Sequence, residues 1–120
     1  MADPESRLSS PHGRITISSA VVAQIVARTA VECYGVVGMV ARGRERVAKL
    51  LPRGRALQGI TVSSNGNGVE IDVHVVVEHG LNLAEVANTV RSRVAYEVER
   101  LTGVPVASID VHIEDVRRSA

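Results

Sequence analysis

Two histidines and four carboxylates occupy alternating positions in two apolar segments, residues 69–78 and 106–116, and these are the side chains best suited to chemistry. The polar positions are Glu70, Asp72, His74, Asp110, His112 and Glu114. Imidazole nitrogens and carboxylate oxygens can ligate a divalent metal, or they can form a docking face for another molecule. The alternative is a solvent-facing sheet surface, which needs polar residues in any case. Because their spacing matches no recognised zinc motif, we expect no metal and no cofactor.

The elements that must position these side chains follow from periodicity. Valine or isoleucine at every second position of 69–77 and 109–113 predicts two strands, each with one buried and one wet face. Between them, apolar residues recur at intervals of three and four from Leu83 to Leu101, which predicts an amphipathic helix. Asn82 with Glu85 is a capping pair for the start of this helix, and Gly103 and Pro105 end it. The second half of the chain therefore reads as strand, helix, strand.

The first half supplies fewer signals. Arg14 to Ile17 predicts a short strand with Ile15 and Ile17 facing inward, and Ser18 or Ser19 then caps a helix from Ala20 to about Tyr34. Gly35 suits the left-handed conformation that ends such a helix. Val36, Val37, Met39 and Val40 are expected to pack under the sheet or the helices. Residues 60–64 predict a strand, which the turn sequence Asn65-Gly-Asn-Gly68 joins to the strand after it as an antiparallel hairpin.

The pattern predicts one α+β domain over residues 14–116. Its architecture is a small mixed β-sheet of three to four strands with two main helices packed on one face, in the order β-α-(short α)-β-β-α-β. Residues 1–13 are predicted to be a flexible N-terminal tail, since they offer almost no large apolar side chain to bury. Residues 117–120 form a short basic C-terminal tail.

Composition excludes several classes of function. Aromatic residues are 2% of the 120-residue chain, with no Trp or Phe, which argues against a module that stacks nucleic-acid bases. Cys33 is the only cysteine, and its place on the apolar face of the first helix suits a small hydrophobe better than a nucleophile. Serine-nucleophile, P-loop, dinucleotide and H-E-x-x-H motifs are absent from the sequence, so we expect no catalytic residues and no enzyme. No apolar run approaches the ~20 residues that span a bilayer.

Gly35-Val-Val-Gly38 has the letters of the G-x-x-G loop that clamps a nucleic-acid backbone in KH domains. Its two valines are poor phosphate contacts, so a helix terminator is the favoured interpretation. A small KH-like RNA-binding domain remains the alternative function. On balance we expect no specific nucleic-acid partner, and only weak, salt-sensitive RNA binding.

A basic segment separates the two halves of the chain. It has six positive residues against the single negative Glu45, for a net charge of +5, which leaves −4 for the remainder. The positive residues are Arg42, Arg44, Arg46, Lys49, Arg53 and Arg55. Val47, Leu50 and Leu51 predict a short amphipathic helical turn that Pro52 and Gly54 end. We predict that the six positive residues form an interaction surface for an anionic membrane or a membrane-anchored partner. The alternative is a solvated loop paired with the acidic sheet face.

From Gly13 to Val116 the chain resembles the alkaline shock protein family, bacterial proteins linked to envelope and general stress. The first half contributes Gly13-Arg-Ile-Thr-Ile17 and Glu32-Cys-Tyr-Gly-Val-Val-Gly-Met39. The second half contributes the strand 69–77 followed by Glu78-His-Gly80, then Asn82-Leu-Ala-Glu-Val-Ala87, Leu101-Thr-Gly-Val-Pro-Val106 and Ile109-Asp-Val-His-Ile113. His79 and Arg91 depart from the family pattern, which more often has an aromatic residue and a glutamine there.

The resemblance implies a non-enzymatic stress-response protein that acts as a scaffold. It also implies a cytoplasmic location, at the inner face of the membrane when the protein is recruited there. Its partners would be further copies of itself or a membrane-anchored protein. The sequence adds one reason to expect a homo-oligomer: the strand at residues 60–64 carries no charged side chain that would guard a sheet edge.

Overall fold

The computed structural model describes residues 5–10, 13–40 and 59–118. In order these are β1 (Glu5–Ser10), β2 (Gly13–Ser18), α1 (Ser19–Glu32), β3 (Val36–Met39), β4 (Ile60–Asn65), β5 (Gly68–Glu78), α2 (Leu83–Thr102) and β6 (Val106–Arg117). The predicted α+β class and the mixed sheet with two main helices are confirmed. The predicted short helix and the basic segment lie outside the described residues.

β5 is the central strand of the four-stranded sheet. β6 pairs with it in parallel from Val69 to Glu78, as expected when a helix connects two neighbouring strands. β4 and β3 pair antiparallel with successive parts of β5, β4 up to Val73 and β3 from Val75 onward. β6 pairs along the whole of β5, so β3 and β4 share its other edge. The junction between them is at His74, whose backbone N–H donates to the Gly59 carbonyl at 2.7 Å.

The core lies between one face of β5 and the two helices. Val69, Ile71, Val73, Val75 and Val77 are all at most 1% exposed. From the helices, the core takes every fourth residue of α2 from Val86 to Val98, together with the inner face of α1. Valine is a mediocre helix former, so packing against the sheet holds these helices more than intrinsic propensity does.

The predicted helix ends are confirmed with small shifts. Ser18 caps α1 by accepting a hydrogen bond from Val21 N–H, and Asn82 caps α2 by accepting one from Glu85 N–H. Gly103 ends α2 in the left-handed conformation. Gly35 is also left-handed at φ +92°, although α1 already ends at Glu32.

The predicted hairpin is confirmed, with a two-residue turn joining Asn65 to Gly68. Gly68 has φ +128°, and a Cβ added there would lie 2.3 Å from the Pro105 carbonyl oxygen. That oxygen accepts a hydrogen bond from Val69 N–H at 3.0 Å. The glycine therefore lets the chain that enters β6 approach the start of β5.

Several expectations about the first half need correction. Val36 and Met39 pack against the core as predicted, whereas Val37 is 47% exposed. Val36–Met39 is also a strand, β3, because its backbone completes the edge of β5 beyond the end of β4. Ile17 packs against the core as predicted, but Ile15 is 60% exposed, so its predicted inward orientation is wrong. Glu5–Ser10 pairs with β2 as a strand, where the sequence offered only a tail. The division into tail, domain and C-terminal tail stays a prediction.

Candidate functional site: a histidine–carboxylate lattice beside an open strand edge

The parallel register of β5 and β6 brings the two strand histidines side by side. His74 is the register partner of His112, and Asp72 that of Asp110. The two imidazole rings stack with centroids 4.5 Å apart and an interplanar angle of 14°. The prediction that imidazoles and carboxylates share one surface is therefore confirmed. We call Asp72, His74, His112 and Glu114 the histidine–carboxylate lattice.

Each histidine of the lattice pairs with a carboxylate on the opposite strand. His74 Nδ1 lies 2.6 Å from Glu114 Oε2, and His112 Nε2 lies 3.1 Å from Asp72 Oδ1. An ionised carboxylate only accepts hydrogen bonds, so the ring nitrogen must donate in each pair. With an ionised carboxylate, the donors would be Nδ1 of His74 and Nε2 of His112.

A β-bulge lies at Glu114. The register runs from Val75 opposite Ile113 directly to Val76 opposite Asp115, so Glu114 is an extra residue in β6. A bulge bends its strand and redirects side chains. Glu114 pairs with a histidine two positions back along the register, which is the same offset that separates Asp72 from His112.

The two pairs differ in burial. The His74 side chain is 4% exposed and that of Glu114 35%, whereas the side chains of His112 and Asp72 are 43% and 42% exposed. The expectation of a uniformly wet outer face is thus wrong at the middle of β5, where Val76 is also only 1% exposed. A central strand is covered on both faces more often than an edge strand.

The lattice does not assemble a metal centre within the part of the chain that the structure describes. No group of three His, Cys, Asp or Glu side chains there could hold a metal ion. Glu70, a further candidate from the sequence, accepts a hydrogen bond from the Asn65 side chain in the hairpin. The lattice side chains pair with one another instead.

Next to the lattice, an open groove of about 300 Å³ runs between α2 and β6. Its helix wall is Ala87, Asn88 and Arg91, and its strand wall is the segment from Ile109 to His112. This groove cannot be predicted from the sequence, because it depends on where α2 crosses the sheet. In the sequence, the only sign of the groove is the alternation of apolar and polar residues from Ile109 to His112.

Cys33 is buried, as its place on the apolar stripe predicts. It is 4% exposed, and its Sγ–H donates to the Thr29 carbonyl at 3.4 Å. Burial raises the pKa of the thiol, and this effect outweighs the opposing influence of Arg93. The thiol is therefore protonated and inaccessible at neutral pH, the reverse of what a nucleophile needs.

The Gly35-Val-Val-Gly38 segment does not form an open phosphate-binding loop. Gly35 lies against Leu81 and Val86, where an added Cβ would come within 2.8 Å and 3.1 Å of their side chains. The next residues belong to β3 and pair with β5. Val36 N–H donates to the Cys33 carbonyl at 3.2 Å, and the Gly35 carbonyl accepts from Glu78 N–H at 2.8 Å, so the segment is held in a turn and a sheet edge.

The six predicted interaction residues, Arg42, Arg44, Arg46, Lys49, Arg53 and Arg55, lie outside the described residues. The structure does describe the residues on either side of the basic segment. Val40 N–H donates to the His74 carbonyl at 3.3 Å, and the Gly59 carbonyl accepts from His74 N–H. The chain therefore leaves and rejoins the sheet at one point, on the edge of β5 opposite β6.

Comparison with known proteins gives a consistent family. The chain matches the alkaline shock protein 23 family, described as having a cell envelope-related function, over residues 7–118. It is 31% identical over 112 residues to the uncharacterized protein YloU of Bacillus subtilis, covering 92% of this chain and 93% of that protein. It is 26% identical over 113 residues to an uncharacterized protein of Streptococcus pyogenes, with the same coverage of both chains.

Solved structures show the same fold at low sequence identity. Two variants of MamM-CTD superimpose with a TM-score of 0.50 and 14% identity. The match covers 81% of this chain and 96% and 94% of theirs, and it concerns the fold alone. The family match spans almost the whole chain and agrees with the resemblance read from the sequence. The chain therefore belongs to the alkaline shock protein 23 family, whose function is related to the cell envelope.

Proposed function

We propose that this protein is a non-enzymatic scaffold of the bacterial cell envelope. It associates with further copies of itself and is held at the inner face of the membrane by an anchored partner. The family match supports the envelope part of this proposal. Neither helix of the described residues has the length and apolar character that a membrane span needs.

The observation that carries the scaffold proposal is the open sheet. Within the described residues, β4 and β6 each pair with β5 alone, so the four-stranded sheet has two unpaired edges. Unpaired strand edges present backbone donors and acceptors to other chains. Meanwhile, the histidines and carboxylates that could serve catalysis pair with one another.

The membrane part of the proposal rests on the basic segment. Near an anionic leaflet, each Lys or Arg adds up to ~1 kcal/mol of binding, and a net charge of +5 would make a peripheral contact significant. Because Val40 and Gly59 meet at His74, the segment has both ends on one rigid strand. Rigid attachment at both ends limits the conformational entropy that a docked segment would lose.

Two measurements test this function. Light scattering of the purified chain should give a mass above 12.8 kDa at micromolar concentration. Replacing Arg42, Arg44, Arg53 and Arg55 by glutamine should abolish sedimentation with anionic vesicles while leaving the thermal unfolding midpoint unchanged. A mass of 12.8 kDa across a broad concentration range would refute self-association. Undiminished vesicle binding would refute the role of the basic segment.

A further inference from the structure

β6 is a long strand with one free edge. It runs from Val106 to Arg117 and, among the described residues, pairs with β5 alone. Its other edge borders the groove beneath α2. An edge next to a helix-lined groove is a suitable place for strand addition, because the backbone supplies affinity and the groove accommodates side chains.

Two bulges limit the regular part of this edge. The register between β5 and β6 shifts at Ala107 and again at Glu114, each an extra residue in β6. Bulges disrupt strand pairing locally. Only the segment from Ser108 to Ile113 therefore offers an uninterrupted edge.

This regular segment is complementary to itself. In an antiparallel pairing centred on Val111, Ile109 faces Ile113 of a second copy. In the same pairing, Asp110 faces His112 of that copy and His112 faces its Asp110. The apolar pairs would lie on the face that carries the helices, and the Asp–His pairs on the outer face. Directly opposed residues of antiparallel strands interact strongly, so this register is favoured on both faces.

Other registers and the other edge fit less well. A slip of two residues in one direction brings Asp110 against Asp110 of the second copy. In the other direction it brings His112 against His112, so the Asp–His pairs are lost in both. Like charges directly opposite each other disfavour a pairing. The competing edge, β4, has the sequence Ile-Thr-Val-Ser-Ser-Asn, which leaves it unguarded but provides no charge to select one register.

We propose that a second copy of this chain docks on β6, antiparallel and with its two-fold axis at Val111. The two four-stranded sheets then join into a single eight-stranded sheet. The interface is isologous, because both copies contribute the same edge. Ile109 is already 9% exposed, and the docked strand would cover the partly buried Val111 and Ile113 beside it. This inference rests on the proposed self-association and names the surface that carries it.

A charge-swap experiment tests the register. The double variant Asp110→Lys with His112→Lys makes the edge positive, and the single variant His112→Glu makes it negative. In a homodimer of either variant, like charges lie directly opposite each other. The dissociation constant of the dimer should therefore rise at least about tenfold. An equimolar mixture should recover a dimer, because both cross pairs then have opposite charges.

Analytical ultracentrifugation of the full-length chains measures these associations, and thermal unfolding checks that each variant is folded. Wild-type dimerisation that neither variant weakens, or a mixture of weakened variants that stays monomeric, would overturn the β6 interface while leaving the scaffold proposal standing. A monomeric wild type would overturn both.

Disulfide trapping locates the axis independently. In a Cys33→Ala background, Val111→Cys places two thiols at directly opposed positions of the dimer. Opposed Cα atoms of antiparallel strands are about 4.5–5.5 Å apart, within the range of a disulfide. Mild oxidation should give a covalent dimer for Val111→Cys and none for the control, Val62→Cys on β4. The reverse result would assign the interface to β4 and refute the proposal.

Discussion

The two faces of β5 follow the same alternating pattern but stabilise the fold in different ways. The face toward the helices is built from Val and Ile side chains that are at most 1% exposed, and it depends on shape and exclusion of water. The outer face depends on specific partners, since His74 is buried beside Glu114. Substitutions on the helix-covered face should therefore act through volume and polarity, and those on the outer face through loss of a named pair.

The largest effect should come from placing a charge on the helix-covered face. Val73 is 0% exposed, so Val73→Asp would bury a carboxylate that has no partner there. We expect a loss of more than about 4 kcal/mol in the free energy of unfolding, enough to unfold most small domains. Urea denaturation followed by circular dichroism measures it. Ser92→Asp, at an exposed position of α2, is the control and should stay within about 0.5 kcal/mol of wild type.

Both faces also depend on the register that the hairpin sets. A shift of one residue would turn the valines outward and the lattice inward. Gly68→Ala should cost about 2–3 kcal/mol, because φ +128° is strained for alanine and its Cβ would approach Pro105 O. Gly66→Ala is the matched control in the same turn: an added Cβ there meets nothing within 4 Å. Equal unfolding free energies for the two variants would contradict this account.

On the outer face, substitutions of the two histidines should differ in how much stability they cost. His74→Ala removes a buried ring and its hydrogen bond to Glu114, so we expect a loss of about 2–3 kcal/mol. His112→Ala breaks a pair whose side chains are both more than two-fifths exposed, and should cost less than about 1 kcal/mol. Urea unfolding of the two variants under identical conditions measures the difference. Equal losses would mean that burial does not distinguish the pairs.

The sequence was sufficient for the helix-covered face because alternation and helical periodicity determine which residues can be buried together. It predicted the inner residues of β5, the stripe of α2 from Val86 to Val98 and the hairpin before β5. It also placed His74 and His112 on one outer face.

The sequence could not predict which histidine pairs with which carboxylate. Alternation determines only the face on which a side chain lies, whereas the pairing also depends on the parallel register of β5 and β6 and on the side-chain rotamers. β3 was missed for a related reason. Val36–Met39 becomes a strand because β4 leaves the distal part of β5 uncovered, which is a property of the assembled sheet.

The smallest effect concerns Cys33, the titratable group on the helix-covered side. Burial raises the pKa of its thiol in the folded state above the unfolded value of about 8.5. Below the unfolded pKa both states keep the proton, so the thiol gives stability no pH dependence. Above it the unfolded chain loses the proton first, and stability falls as pH rises toward the folded pKa. A single proton gives a slope of at most about 1.4 kcal/mol per pH unit.

Urea unfolding at about pH 7.5 and about pH 9.5 tests this, with Cys33→Ala as the reference that lacks the thiol. Wild type should lose more stability between the two conditions than the variant does. Every other titratable group is shared, so the difference between the two losses isolates Cys33. The native thiol should also react with a disulfide reagent much more slowly than the unfolded chain does, since it is 4% exposed. Fast labelling of the folded protein would show that the interior beside α1 opens readily, and would weaken the contrast between a closed helix-covered face and a partner-dependent outer face.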